Sequence, residues 1–544
     1  MFKVNVLCSV MYCSVTMSTS RTLLYDSRPG DICIMICALN HQTVCVNKMD
    51  LSSLLSFNTV TVAIAVVLLI LLVSRSLQWP ANLPPGPTGY PVVGNMLLFR
   101  KGNALDIFRK LRGQYGDVYS IKIGVNLNVV INGSDALKEA FIKHGDDFSD
   151  RPENFFPALI LENKGIGFSS GEYWKQTRTF ALSTLRNFGF GRRSLESRIQ
   201  EEIATYLDII EQQNGQPYDM KELTTMAISN IICSITFGNR FDYTDAKFKR
   251  ITSLFAENFR LNSVGGVGRS LPFLRFLPGD MFNIKKMTQN LKDIKAFVDE
   301  QISQHRKTFE EENQRDFIDA FLSQQNKPDK DDTIFDDMNL AVSVINLFFA
   351  GTDTTSTMIR WAIIYLIHNK PIQDKLRQEI VRVAGTSRLP SLANKSDMPY
   401  YEAFITEVFR VGNIAPLSVP HGALKDIRFR GMVIPKGSMI IPNLDSVMTD
   451  PDLFENPDTF NPERYLGKDG QLNGKEKTVI TFSLGRRICP GESLARMELF
   501  LFMTALLQRF EFLPESPDKL PSTDGILGLA RVSKDYKCRV VKLK

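Results

Sequence analysis

The order of apolar and polar positions divides this 544-residue chain into unlike parts. From Leu51 to Val73 it reads LSSLLSFNTVTVAIAVVLLILLV, 23 residues without a charge, which as an α-helix would extend about 34 Å at 1.5 Å per residue. That length spans a bilayer. A buried core helix or a cleaved signal peptide are the competing readings, but the stretch lacks an A-x-A-like cleavage site and runs into Arg75 and a rigid proline segment. A single membrane anchor over residues 51–74 is therefore expected. Arg75, Arg100 and Lys101 follow it closely whereas only Lys48 shortly precedes it, which favours a cytosolic body. The prolines of WPANLPPGPTGYPVVGN then exclude helix and predict a stiff extended hinge over residues 75–95.

Beyond residue 95 the pattern is mostly of helical period. GESLARMELFLFMTALLQRF reads as one long helix, and YYEAFITEVFR and GEYWKQTRTF as shorter ones. VYSIKIGVNLNVVING is among the few strand-like runs, and RKTFEEENQRD reads as a solvated helix face or connector. The apolar stretch from Ala341 to His368 resembles a second membrane span, but Asp353 and Arg360 at its middle would each cost about 2.5 to 3.5 kcal/mol on an insertion scale. A helix through a protein core is the better reading. Within it GTDTT sets five weak helix formers in a row, with hydroxyls able to bond the preceding turn, and predicts a local bulge or kink at Gly351. With no internal repeat and no second linker, residues 96–544 are expected to form one large, mainly α domain with a small β portion.

Composition narrows this picture. With 44% hydrophobic and 23% charged residues the chain can bury a large core, and a net charge of +6 without a long Lys/Arg run gives no sign of a nucleic-acid partner. Five of the eight cysteines precede residue 50, so the body has no disulfide framework. The five histidines lie far apart without an HExxH, and no Cys-x-x-Cys occurs near Cys489, so a zinc site is disfavoured. Residues 1–50 have no clear period. MDLSSLLSF from Met49 would be a natural start before the anchor, and the leader is expected to be an alternative or mispredicted extension.

The densest chemistry lies in FSLGRRICPGE, Phe482 to Glu492. An unpaired buried cysteine is most often a small hydrophobe. Here Gly485 and Gly491 permit close backbone approach, Pro490 stiffens the exit, Arg487 offers a positive fork, and the following helix N-terminus favours a negative sulfur. A thiolate metal ligand needs such a rigid loop. Phe482, Gly485, Arg487, Cys489 and Gly491 match FxxGxRxCxG, and on these residues the chain resembles the cytochrome P-450 monooxygenases, whose fold is a single haem domain.

The resemblance implies that Cys489 is the axial thiolate of haem b iron, a ligand that favours O–O cleavage. It implies that FFAGTDTTS matches [AG]Gx[DE]TT on the distal haem face, with Thr354 as the hydroxyl that holds a water and Asp353 as the acid that relays protons. Glu407 and Arg410 match ExxR, and Arg464 matches the arginine of a PERF-like segment, together a buried charge network supporting the cysteine loop; Tyr465 departs from the usual Phe. Trp174 and Arg178 match WxxxR and, with His421 and Arg487, would hold the haem propionates. Lys164 stands where relatives often have a further propionate-binding arginine.

PPGPTGYPVVGN, FSDRP, LRNFGFGRRSLESRIQEE and FNPERYL look most like animal microsomal family 2. That likeness implies an endoplasmic reticulum membrane location, electrons from NADPH through NADPH–cytochrome P-450 reductase, cytochrome b5 as a further donor, and a basic docking face including Lys175, Arg178, Arg186, Lys475, Lys477 and Arg486. A small apolar substrate, a fatty acid, steroid or xenobiotic, would meet Phe348, Phe349, Ala350, Ile414, Ala415, Leu417, Val419, Ile526 and Leu527. Two other functions remain open at this point: a haem-thiolate isomerase or dehydratase working without a reductase, and a catalytically silent haem-binding membrane protein.

Overall fold

The computed structural model describes residues 59–68, 70–71, 82–90, 93–100, 102–153, 161–189, 195–264, 279–280 and 283–543. The chain divides into two units, residues 1–75 and 76–544. In the first, residues 59–68 and 70–71 are helical and present exposed apolar side chains such as Val62, Ile64 and Leu68. Among the described residues no helix is long and apolar enough to cross a membrane. The rest of the Leu51–Val73 stretch and the leader lie outside the described residues.

The second unit is mainly helical, with small sheets at its margins. Its helices include α1 (Ala104–Tyr115), α2 (Ser134–Lys138, continued as a π turn over Glu139–Lys143), α3 (Gly165–Phe168), α4 (Gly171–Asn187), α5 (Glu196–Glu211), α6 (Lys221–Thr236), α7 (Ala246–Val264), α8 (Ile284–Lys307), α9 (Phe317–Gln325), α10 (Asp337–His368), α11 (Lys370–Ala384), α12 (Pro399–Gly412) and α13 (Glu492–Arg509). The main sheet orders β1 (Val118–Ile123), β2 (Asn126–Ile131), β4 (Met439–Pro442) and β3 (His421–Gly422). β1 and β2 form an antiparallel hairpin with Val118 opposite Ile131, and β2 runs parallel to β4 with Asn128 opposite Met439.

Helix α10 is the axis of the core. Asp336 caps it through a hydrogen bond from the Asn339 amide, and nearly every residue from Thr355 to Ile367 is buried, so no polar face remains for solvent. The helix runs without interruption through Gly351, where the sequence predicts a bulge or kink. The Thr354 hydroxyl bonds the Ala350 carbonyl at 2.6 Å without opening the ladder. Glycine there serves packing instead: a Cβ on Gly351 would lie 2.4 Å from Ile232 Cδ1 of α6.

The proline-rich stretch is not free along its whole length. Pro85 O accepts from Ser120 N at 2.8 Å and Pro84 O from the Ser120 hydroxyl at 2.7 Å, so the chain from Pro84 onward lies against β1. Gly86 is the point of closest approach, since a Cβ there would sit 1.9 Å from the Ser120 carbonyl oxygen. Gly86→Ala is therefore expected to lower stability by about 1–3 kcal/mol, the usual scale of overpacking. Gly113 lies exposed within α1 with nothing within 4 Å of a Cβ. Gly113→Ala should raise stability by about 0.5–1 kcal/mol, and thermal melts of the two variants should move in opposite directions.

Candidate functional site

The cysteine loop is built by close contact. Cys489 N donates to Phe482 O at 3.0 Å and Ile488 N to Gly485 O at 3.1 Å, closing the loop on itself. Gly485 has φ +73°, and a Cβ there would stand 1.8 Å from the Phe141 carbonyl oxygen, so the turn admits only glycine. Cys489 ends at the start of α13. Burial, with the Glu492 carboxylate, raises its pKa overall, against a smaller pull from the Gly491 and Glu492 amides and the Arg178 guanidinium. These are the donors a thiolate requires.

One carboxylate holds the segment ahead of that loop. Glu407 Oε1 accepts from Arg410 Nη2 at 2.8 Å, Asn461 N at 3.0 Å and Arg464 Nε at 3.1 Å. Its Oε2 accepts from Arg410 Nε at 2.9 Å and the Tyr465 hydroxyl at 2.8 Å. Arg410 also donates to the carbonyls of Met448 and Thr459. The tyrosine that departs from the common pattern thus adds a donor a phenylalanine lacks.

A cavity of about 330 Å³ brings the scattered motifs together. Its wall includes Cys489, Gly491, Phe482, Arg178, Arg487, Thr354, Phe349, Ala350, Ile414, Ala415 and Val419. Trp174 lies beside it, its ring centroid 3.6 Å from Arg487 Cζ and 5.8 Å from Arg178 Cζ. Asp353 is buried one residue from Thr354; its Oδ2 has no hydrogen-bond partner, and burial raises its pKa to about 7.

Other expected residues are placed elsewhere. His421 is buried off the wall; its Nδ1 donates to the Phe148 carbonyl, and burial reinforced by the charges of Arg151 and Arg487 holds it well below the usual range. Phe348 turns into the core and stacks on Phe255 at 4.8 Å. Leu417 packs on the sheet beside Met439. Ile526 and Leu527 belong to β5 (Gly525–Leu527), which pairs with β6 (Arg531–Ser533). Ile526 is 51% exposed, and the turn of this hairpin supplies Leu529 and Ala530 to the wall instead. Lys164 pairs with Asp336 at the start of α10 and does not line the cavity.

Two wall residues carry no motif role in the sequence reading. Arg151, within FSDRP, donates to the carbonyls of Gly167, Val419 and Pro420, and burial, with repulsion from Arg178, draws its pKa down to about 9. Glu498 of α13 is buried with both oxygens lacking a partner, and burial lifts it to about 8 against a smaller opposing effect of the Thr355 hydroxyl. FSDRP carries no spacing signal that singles out the first, and helical spacing alone signals nothing about the second.

Arg151, Arg178 and Arg487 thus gather at one cavity without any carboxylate paired to them among the described residues. Burial, followed by repulsion from Arg151 and Arg178 against a smaller pull from Asp150, brings Arg487 down to about 8. Its Nη1 and Trp174 Nε1 are buried without partners. Unpaired buried charge of this kind calls for a bound anion. A cofactor with two carboxylates and a metal facing a cysteine fits this donor set, and haem b is such a group. Glu407→Ala should cost about 3–5 kcal/mol by leaving buried arginines unpaired, whereas Tyr465→Phe, which removes one of five donors, should cost about 1 kcal/mol. Denaturant unfolding of the two variants tests that order.

A family model described as Cytochrome P450 matches residues 84–540. Cytochrome P450 2B2 of Rattus norvegicus is 40% identical over 472 residues, which cover 85% of this chain and 95% of that protein. Cytochrome P450 2C23 of Rattus norvegicus is 40% identical over 489 residues, covering 88% and 97%. Cytochrome P450 2J2 of Homo sapiens is 42% identical over 448 residues, covering 81% and 88%. The family implies haem iron with thiolate ligation. With the match spanning nearly the whole of the second unit, the chain belongs to the cytochrome P450 family and is one of its monooxygenases, similar to the animal family 2 members.

Proposed function

We propose that this chain is a membrane-anchored haem-thiolate monooxygenase that inserts one oxygen atom of O2 into an apolar fatty acid, steroid or xenobiotic. Electrons come from NADPH through NADPH–cytochrome P-450 reductase, with cytochrome b5 as a further donor. Residues 51–74 form the anchor in the endoplasmic reticulum membrane, residues 75–95 the hinge, and residues 96–544 the catalytic domain facing the cytosol. Residues 1–50 are an atypical extension. The observation that carries the reading is the single cavity whose wall holds Cys489, three arginines and Thr354 together.

Haem, when bound, supplies the iron redox chemistry that activates oxygen. In this reading Cys489 Sγ would bind the haem iron, with the Gly491 and Glu492 amides and the Arg178 charge favouring the thiolate against the burial that raises its pKa. Arg178, Arg487 and the Trp174 indole N–H would receive the carboxylates, and Arg151 would reinforce the positive charge around them. Glu407, Arg410 and Arg464 keep the loop in place. Thr354 holds a water through its hydroxyl, and Asp353, near half-protonated at neutral pH, passes protons to it. The apolar wall at Phe349, Ala350, Ile414, Ala415 and Val419 excludes bulk water and positions the substrate.

The direct test is turnover of the full-length protein with reductase, NADPH and isotopically labelled O2, against fatty acids, steroids and small aromatics. Label in product that depends on NADPH and reductase is expected; product formed equally without them would overturn the reading. The Asp353 environment gives a further outcome. Its folded pKa lies above the unfolded value of 3.8, so the native state binds the extra proton and stability falls as pH rises from about 4 to 7. Asp353→Asn should flatten that fall in denaturant titrations and lower product formed per NADPH by about tenfold or more.

A further inference from the structure

Two stretches of chain far apart in sequence supply neighbouring apolar wall to the cavity: Ile414 and Ala415, which follow α12, and Leu529 and Ala530, in the turn between β5 and β6. Neither stretch is well held by its own element. Helix α12 ends in Val411 and Gly412, whose carbonyls have no intrahelical amide to accept from. A further turn would bring Gly412 O to Pro416, which has no N–H. The hairpin consists of two three-residue strands, too short to be stable alone.

Arg531, the first residue of β6, joins the two. Its backbone N–H donates to Ile414 O at 2.7 Å. Its Nη1 donates to Val411 O and to Gly412 O, each at 2.8 Å, and its Nη2 to Thr523 O at 3.3 Å. The Arg531 carbonyl accepts from Trp361 Nε1 of α10 at 3.3 Å, and Arg531 Cζ lies 4.8 Å from the centroid of the same ring. A cation at the C-terminal end of a helix is favoured by the helix dipole, and a planar fork reaches several carbonyls that one ammonium could not reach together. The hairpin leaves room for this side chain, since a Cβ on Gly525 would stand 2.5 Å from Arg531 Cγ and Nε. Arg531 itself stands behind the wall and does not line the cavity.

We propose that Arg531 is a positioning residue that sets the shape selectivity of the cavity: by fastening Ile414–Ala415 and Leu529–Ala530 into one rigid wall, it admits slender apolar molecules and rejects broad ones. This deepens the monooxygenase reading and rests on it. The cavity of about 330 Å³ is at the low end for a small-molecule site. A close-packed wall that cannot yield makes extra breadth costly. Once the two halves are free to separate, that cost falls.

The experiment titrates the haem-loaded, full-length protein with N-hexylimidazole and N-adamantylimidazole, which share an iron-binding nitrogen and differ in breadth, and reads each dissociation constant from the absorbance change. Wild type should bind the hexyl compound about tenfold more tightly than the adamantyl one. Arg531→Met, which loses every side-chain donor, and Arg531→Lys, which keeps the charge and loses the fork, should bring the two constants within about threefold of each other, mainly by tightening the adamantyl compound. Gly525→Ala keeps the arginine but displaces it from its carbonyls and should move the ratio the same way. Gly86→Ala, which does not touch the cavity, is the control: its melting temperature should fall while its ratio stays that of the wild type. A wild-type ratio near one, a ratio unchanged in the Arg531 and Gly525 variants, or an equal change in Gly86→Ala overturns the assignment. Failure of the wild type to give a thiolate-type carbon monoxide spectrum would instead count against the haem reading on which it rests.

Discussion

Five hydrogen bonds converge on the carboxylate of Glu407, a side chain with no exposed surface. Such an anion is tolerable in a core only with every lone pair occupied. Here the donors come from α12 and from the Asn461–Tyr465 segment, so satisfying one charge fixes the path of the chain toward the cysteine loop. The loop is then pressed against Phe141 at a distance only Gly485 allows. Position of the sulfur follows from these two constraints, one electrostatic and one steric.

The cavity itself is electrically lopsided. Arg151, Arg178 and Arg487 supply buried positive charge to the wall, while Asp353 and Glu498 have pKa values raised by burial to about 7 and about 8. A carboxylated group would be stabilised on the cationic side, where unpaired donors wait for it, and protons are held on the acids, where burial outweighs the opposing charge of Lys221 on Asp353. Between them the wall is aliphatic and aromatic. The same low polarity that strengthens each charge interaction also raises the acids' affinity for protons, so binding and proton handling arise from one property of the pocket.

Much of this was legible in the sequence because its signals are local. FxxGxRxCxG spans ten residues, and Gly485 has both a contact that excludes a side chain and a backbone angle that disfavours one. ExxR sets Glu407 and Arg410 one helical turn apart, and their pairing follows from helix geometry. The mainly α body is likewise a periodic signal. What escaped notice depends on tertiary packing. Arg151 reaches the cavity because its guanidinium bonds carbonyls 268 and 269 residues away. Lys164 turns to Asp336 rather than to the cavity, and Ile526 faces out because the hairpin presents its turn, not its strand. At Gly351, where a bulge or kink was expected, the helix is continuous, and the glycine serves close packing against Ile232 of α6.

The central claim is that Cys489 sulfur binds haem iron. Replacing it by serine in the full-length protein and recording the carbon monoxide spectrum of the reduced, haem-loaded form tests this most directly. The account predicts a thiolate-type spectrum in the wild type and its loss in Cys489→Ser, with the apolar body still folded. An unchanged thiolate-type spectrum in the variant would contradict it and assign the ligand to another residue.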